Sequence, residues 1–183
     1  MNNVVRRHTK SAYKRCAFTG YRPAKLPFGD NETDPRCVEL KERLRSTIVE
    51  LIGKGYAHFL SGGALATDIF AAEAVLDLKE EFPWILLEMV IPFDGQAERW
   101  SDEYKARHTR LLAEADIVTV ISHAYTKSCF FVRNRYLVTN CDTLVAVYDG
   151  QPGGTAMTVD YARECGREIL YIRPNELGRA KAS

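Results

Sequence analysis

Six short runs rich in β-branched and aromatic residues, each parted from the next by a helix-length stretch, constrain this chain most. "CAFTG" (16–20), "AHFLS" (57–61), "ILLEMVI" (85–91), "IVTVI" (117–121), "TLVAVY" (143–148) and "EILYI" (168–172) read as strands. Such alternation builds a mostly parallel sheet with helices on both faces, so the predicted class is α/β. The helix predicted over 35–54 has Asp34 as N-cap, Pro35 just inside its start, and Gly53 and Gly55 closing it. Further helices are predicted over 66–82, up to about 115, within "FFVRNRYLVTNC", and over 155–165.

With 183 residues and no repeat, linker or composition break, one domain over 15–174 is the simplest organisation. The basic stretch in residues 1–14 predicts a flexible tail, and 175–183 a frayed one. The net charge of +1 advertises no polyanionic partner. No run approaches the roughly 18 apolar residues of a membrane span, and the N-terminal segment lacks the apolar core of a signal peptide. Five scattered cysteines without a CxxC predict reduced, mostly buried thiols, no metal site and a cytoplasmic location.

In a sheet of this class ligands bind beyond the carboxyl ends of the strands, where strand order reverses. Strand ends carry Thr19-Gly20, Ser61-Gly62-Gly63, Pro92 and, after the fifth strand, Gly153-Gly154-Thr155. Two glycine turns that each open a helix suggest paired sites for anionic or ribose-bearing groups, because the first N–H groups of a helix are free to bind anions. Neither a G-x-G-x-x-G nor a Gly-Lys-Ser/Thr motif is present, which excludes a standard NAD-binding fingerprint and a P-loop. Arg22 is placed to reach a phosphate or to stand in solvent. Arg133 and Asn134 offer a planar grip on phosphate or carboxylate, with Arg135 as a solvated neighbour. Asp68 either accepts from a ribose hydroxyl or braces the Ser61–Gly63 loop, and Glu73 can pair with a cation. Trp100, Tyr104 and His108 share a helix face at i, i+4, i+8, which favours core packing, with stacking of Trp100 on a base as the alternative.

"TGYRP", "SGGALATD…AAE", "PF…Q…W" and "RNRYLVTNCDTLVAVYDG…GGT…YA" occur in that order over about 16–174. This pattern resembles the YpsA-like group of the SLOG superfamily, Rossmann-like proteins that include the DNA-processing protein DprA and the LOG phosphoribohydrolases. The resemblance implies a Rossmann-like three-layer α/β/α sandwich that binds a nucleotide or nucleotide-derived ligand. It also implies a phosphate-binding loop at Ser61, Gly62, Gly63 and Asp68, an Arg/Asn pair at Arg133 and Asn134, and a second turn at Gly153, Gly154 and Thr155. Two departures stand out. Ala66 replaces a family glycine, which is costly wherever that position needs φ > 0. The LOG glutamate position falls on Asp160 or on Thr158, depending on how "PGGTAMTVD" is aligned.

Three functions follow as expectations. The first is binding or sensing of a nucleotide-type small molecule, with no further cofactor. The second is N-glycoside hydrolysis of a nucleoside 5′-monophosphate or an NAD-derived ligand, with Arg133 and Asp160 or Asp68 as catalytic candidates. The third is DprA-like binding of single-stranded DNA, with nucleic acid the less expected partner given the neutral total charge. A homo-oligomer is compatible with the apolar helix faces.

Overall fold

The computed structural model describes residues 13–179; all of the basic tail but Tyr13 and Lys14 lies outside them. The β-rich runs become β1 (Lys14–Gly20), β2 (Tyr56–Ser61), β3 (Leu86–Ile91), β4 (Ile117–Val120), β5 (Thr143–Val147) and β6 (Glu168–Ile172). Between them stand α1 (Pro35–Gly53), α2 (Thr67–Leu78), α3 (Asp102–Glu114), α4 (Cys129–Thr139) and α5 (Gly154–Glu164). All six strands are parallel, in the order β4-β3-β2-β1-β5-β6. This is the expected Rossmann-like α/β/α sandwich.

The period-2 alternation of the strands sorts residues onto two cores. Phe18, Phe59, Leu87, Met89, Val145 and Val147 pack with α1, α2 and Leu111 of α3. Ala17, Leu60, Val90 and Leu144 face the other way, onto Leu137 and Val138 of α4 and Ala162 of α5. Asp34 caps α1 by accepting from the Arg36 N–H at 2.8 Å, with Pro35 at the first position, as its sequence predicts. Glu73 pairs with Arg107, whose Nη2 lies 2.7 Å away. Four of the five cysteines are buried, and Cys165 is half-buried.

Successive strands step outward from β1 to β4, and the chain then returns to place β5 on the other side of β1. The reversal therefore falls between β1 and β5, where Gly20 pairs with Val147 at the carboxyl ends. That register places the loops after β1 and β5 side by side. Helix α4 is fixed beneath them by Tyr136, which donates to Glu88 Oε1 at 2.9 Å.

The terminal segment expected to fray is instead packed over its described part. Pro174–Glu176 form a 3-10 turn, Leu177 joins the core, and the Gly178 N–H donates to Glu39 Oε2 at 2.7 Å. No helix among the described residues is long and apolar enough to cross a membrane.

Candidate functional site

The end of β1 is stapled from both sides by the helices that start beside it. Thr67, at the head of α2, donates its hydroxyl to the Tyr21 carbonyl at 3.0 Å, and Thr155, at the head of α5, donates to the Gly20 carbonyl at 3.1 Å. A Cβ on Gly20 would lie 2.4 Å from Thr67 Cγ2, so this glycine makes room for a protein side chain. The Thr155 proton is likewise engaged within the protein.

The Ser61–Gly63 loop is filled in the same way. Ser61 is fully buried; its hydroxyl donates to the Asp68 carbonyl at 2.8 Å and accepts from the Gly63 N–H at 3.2 Å. The Asp68 carboxylate accepts from the Ala64 N–H at 3.2 Å, and Arg133 Nη1 stands 3.7 Å from its Oδ2. Arg133 Nη1 also donates to the Gly62 carbonyl, which takes a second bond from Gln96 Nε2 at 3.2 Å. Of the two roles open to Asp68, the geometry displays the bracing one. Burial raises the Asp68 carboxyl above the usual carboxylate range, while Arg133 and the Ala64 N–H pull it back down. Burial also lowers the Arg133 guanidinium, against the attraction of Asp68.

Ala66, the N-cap of α2, sits at φ 64°, ψ −108°, a conformation that favours glycine. The sequence departure at this position therefore carries strain of about 1–3 kcal/mol. Replacing it with glycine removes the strain but also a buried methyl worth ~0.8 kcal/mol and some rigidity of the unfolded chain. Ala66→Gly is expected to stabilise the protein by roughly 0.5–1 kcal/mol in denaturant unfolding, on the balance of those terms. An unchanged or lowered midpoint would contradict the strain assignment.

The second glycine turn is open at Gly154, although a Cβ on Gly153 would lie 2.7 Å from Lys25 Nζ. Gly153 caps α5 at φ 137° with no side-chain cap, and a Cβ on Gly154 would meet nothing within 4 Å. Gly154 and Thr155 border a cleft of about 440 Å³ beyond the ends of β1 and β5. Thr19, Gly20, Arg22, Arg133 and Asn134 line it too, so the structure brings these seven expected residues together. Among the described residues the Thr19 hydroxyl and Arg133 Nη2 form no hydrogen bond, although Arg133 is only 4% exposed. Arg22 forms no ion pair there, and its guanidinium lies 5.4 Å from the Phe130 ring centroid.

Other expected residues fall elsewhere. Pro92 is buried outside the cleft lining. Trp100 packs on the core and meets His108 edge-to-face at 5.2 Å, which realises the packing alternative and takes it away from the cleft. Asp160 is exposed on α5 and pairs with Arg163 at 2.9 Å, while Thr158 turns inward and donates to the Gly154 carbonyl. Neither alignment of the glycine turn sets a carboxylate at the cleft.

Five residues of the cleft were missed by sequence reasoning: Tyr21, Ala24, Lys25, Ala64 and Phe130. Tyr21 donates to Asp149 Oδ1 at 2.8 Å and accepts from the Gln151 N–H at 2.9 Å, tying the β1 loop to the β5 loop. Lys25 donates to the Pro152 carbonyl, and Phe130 walls the cleft. Spacing could have found two of them: Lys25 lies three residues after Arg22, across a 3-10 turn that aligns i with i+3, and Phe130 lies three before Arg133 on α4.

The YpsA family model, described as the YspA SLOG family, matches residues 16–176. A UPF0398 protein of Bacillus pumilus is 32% identical over 168 residues, covering 90% of each chain. The UPF0398 protein YpsA of Bacillus subtilis is 28% identical, covering 90% of this chain and 94% of the relative. Among solved structures, DNA processing protein A of Helicobacter pylori, described for its single-stranded DNA binding mode, superposes with a TM-score of 0.58 at 18% identity. DprA of Streptococcus pneumoniae does so at 0.58 and 16%. Each superposition covers 87% of this chain, but only 65% and 50% of those two chains respectively; at this identity the likeness is one of fold.

Proposed function

The chain belongs to the YpsA SLOG family, and on that footing we propose that it binds a nucleotide or nucleotide-derived ligand in the cleft between the β1 and β5 loops. The observation that carries the reading is the sign of that cleft. Arg22, Lys25 and Arg133 line it, and among the described residues no aspartate or glutamate does. A phosphate there meets Arg22, the unpartnered Nη2 of Arg133 and the free N–H groups at the head of α5. Phe130 offers an aromatic face for a base or sugar. Thr19 and Asn134 supply hydroxyl and amide groups for the ribose.

The chemistry stops at binding. Glycosidic cleavage needs a carboxylate facing the sugar carbon. Asp68 is held behind Gly62 by Arg133 and the Ala64 N–H, and Asp160 pairs with Arg163 in solvent. Occupancy of the cleft would bridge the β1 loop, α4 and α5, which is what a sensor needs in order to report a ligand.

A second reading, single-stranded DNA, draws on the same cations and Phe130, with Lys127 and Arg135 just beyond them. The total charge of +1 speaks against it. Calorimetry with AMP, adenosine and an oligonucleotide separates the two. AMP should bind at least about tenfold more tightly than adenosine, and should keep most of its affinity at high salt. Tighter oligonucleotide binding that collapses with salt would favour DNA. Equal affinity for AMP and adenosine would reject the phosphate site.

A further inference from the structure

A second cavity, of about 230 Å³, opens between α4 and α5 and shares Phe130, Asn134 and Gly154 with the first. Its walls are unlike those of the cationic cleft. Phe131, Met157 and Tyr161 face it, and Met157 and Phe131 are 59% and 44% exposed, although large apolar side chains are usually withdrawn from water. The one hydroxyl of its threonine, Thr158, is already donated to the Gly154 carbonyl at 2.9 Å. Arg135 makes cation–π contacts with two rings, its guanidinium 4.6 Å from the Phe131 centroid and 4.5 Å from that of Tyr161. Neither Arg135 nor Lys127, also on the rim, forms an ion pair among the described residues.

We infer that this pocket is a second nucleoside site, and that the ligand is of the dinucleoside pyrophosphate class: two nucleosides joined through phosphates. The inference rests on the cleft being a nucleotide site. The cleft alone, at about 440 Å³, is already within the usual range for a whole small ligand, so the adjoining pocket is additional room. The apolar lining suits an aromatic base, and Lys127 and Arg135, which form no ion pair among the described residues, suit a second phosphate.

The partition between the two cavities is built to let a chain of phosphates pass. Gly154 forms the sill, has no side chain, and would meet nothing with one. Asn134 stands beside it with a fixed orientation. Arg133 Nε can only donate, so the amide must turn Oδ1 toward it, at 2.8 Å. Its Nδ2 donors are then left without a partner among the described residues, at the wall shared by both cavities. An amide donor there serves the bridging oxygens or a ribose hydroxyl.

The test compares diadenosine pyrophosphate with AMP by calorimetry on the wild type, on Met157→Trp, which fills the second pocket, and on Tyr161→Ala, which removes a wall. Neither residue lines the cleft. The wild type should bind the dinucleotide at least about tenfold more tightly than AMP, and each variant should erase most of that difference while leaving AMP within about twofold. Equal affinities in the wild type, or variants that weaken AMP as much as the dinucleotide, would overturn the second site while leaving the cleft standing. Absence of binding by both ligands, or AMP binding no better than adenosine, would overturn the cleft and this inference together.

Discussion

Arg133→Ala should destabilise the folded protein by about 3–5 kcal/mol, the usual consequence of stranding one member of a buried ion pair, and should abolish phosphate-dependent binding. Both losses follow from one position. The guanidinium neutralises Asp68, satisfies the Gly62 carbonyl and bonds Asn134, and Arg133 lines the cleft. Removing it leaves a carboxylate that is only 6% exposed without its cation. The sign of the pH dependence follows. Burial already raises the Asp68 carboxyl, and losing Arg133, the main influence that lowers it, raises it further. In acid, folded and unfolded chains both carry the proton, so the deficit is smallest there. It grows as the pH climbs from the raised Asp68 range of the wild type through the still higher range of the variant. Denaturant unfolding across that range reads this directly; a deficit independent of pH would show that Asp68 does not depend on Arg133. Arg133→Ala/Asp68→Asn should recover part of the lost stability without restoring ligand.

Gly62→Ala should produce the binding defect by a different route. Its new Cβ would lie 1.8 Å from Arg133 Nη1, 2.6 Å from Cζ and 2.8 Å from Asp68 Oδ2. The guanidinium cannot simply swing aside, because its position is set by Asp68 and by Asn134 Oδ1 in a buried space. Overpacking of this kind costs about 1–3 kcal/mol. Here it also displaces the guanidinium proposed to grip phosphate, so AMP affinity should fall at least about tenfold while the charge pair persists in some form. Because Asp68 keeps a cation nearby, the pH dependence should be much weaker than in Arg133→Ala. A variant with wild-type affinity would mean that the placement of Arg133 does not matter to the ligand.

The architecture was legible because hydrophobic periodicity and caps act locally. The six β-rich runs match the observed strands within one or two residues at either end, and Asp34-Pro35 marks the start of α1. Gly62 was legible as a position that forbids a side chain, but not for its reason. A glycine reads the same whether a ligand or a distant residue takes the space, and here the occupant, Arg133, stands 71 positions away. Gly20 is similar, with Thr67 where a ligand was expected. Asp160 failed for a geometric reason: an offset counted from the glycine turn gives distance along α5 but not direction. Thr158 and Val159 turn into the protein and Asp160 turns out. Ala66 is a further case: the sequence left its φ open between a helical and a positive value, and the structure gives the positive one.

A ligand-observed proton NMR time course probes the proposed phosphate-binding nucleotide cleft without a cleaving carboxylate. The protein would be mixed with AMP, and separately with adenosine. Binding without turnover should give broadened AMP signals, sharper adenosine signals, and no new peaks over hours. Free adenine and ribose 5-phosphate accumulating with time would contradict it, as would AMP signals as sharp as those of AMP alone.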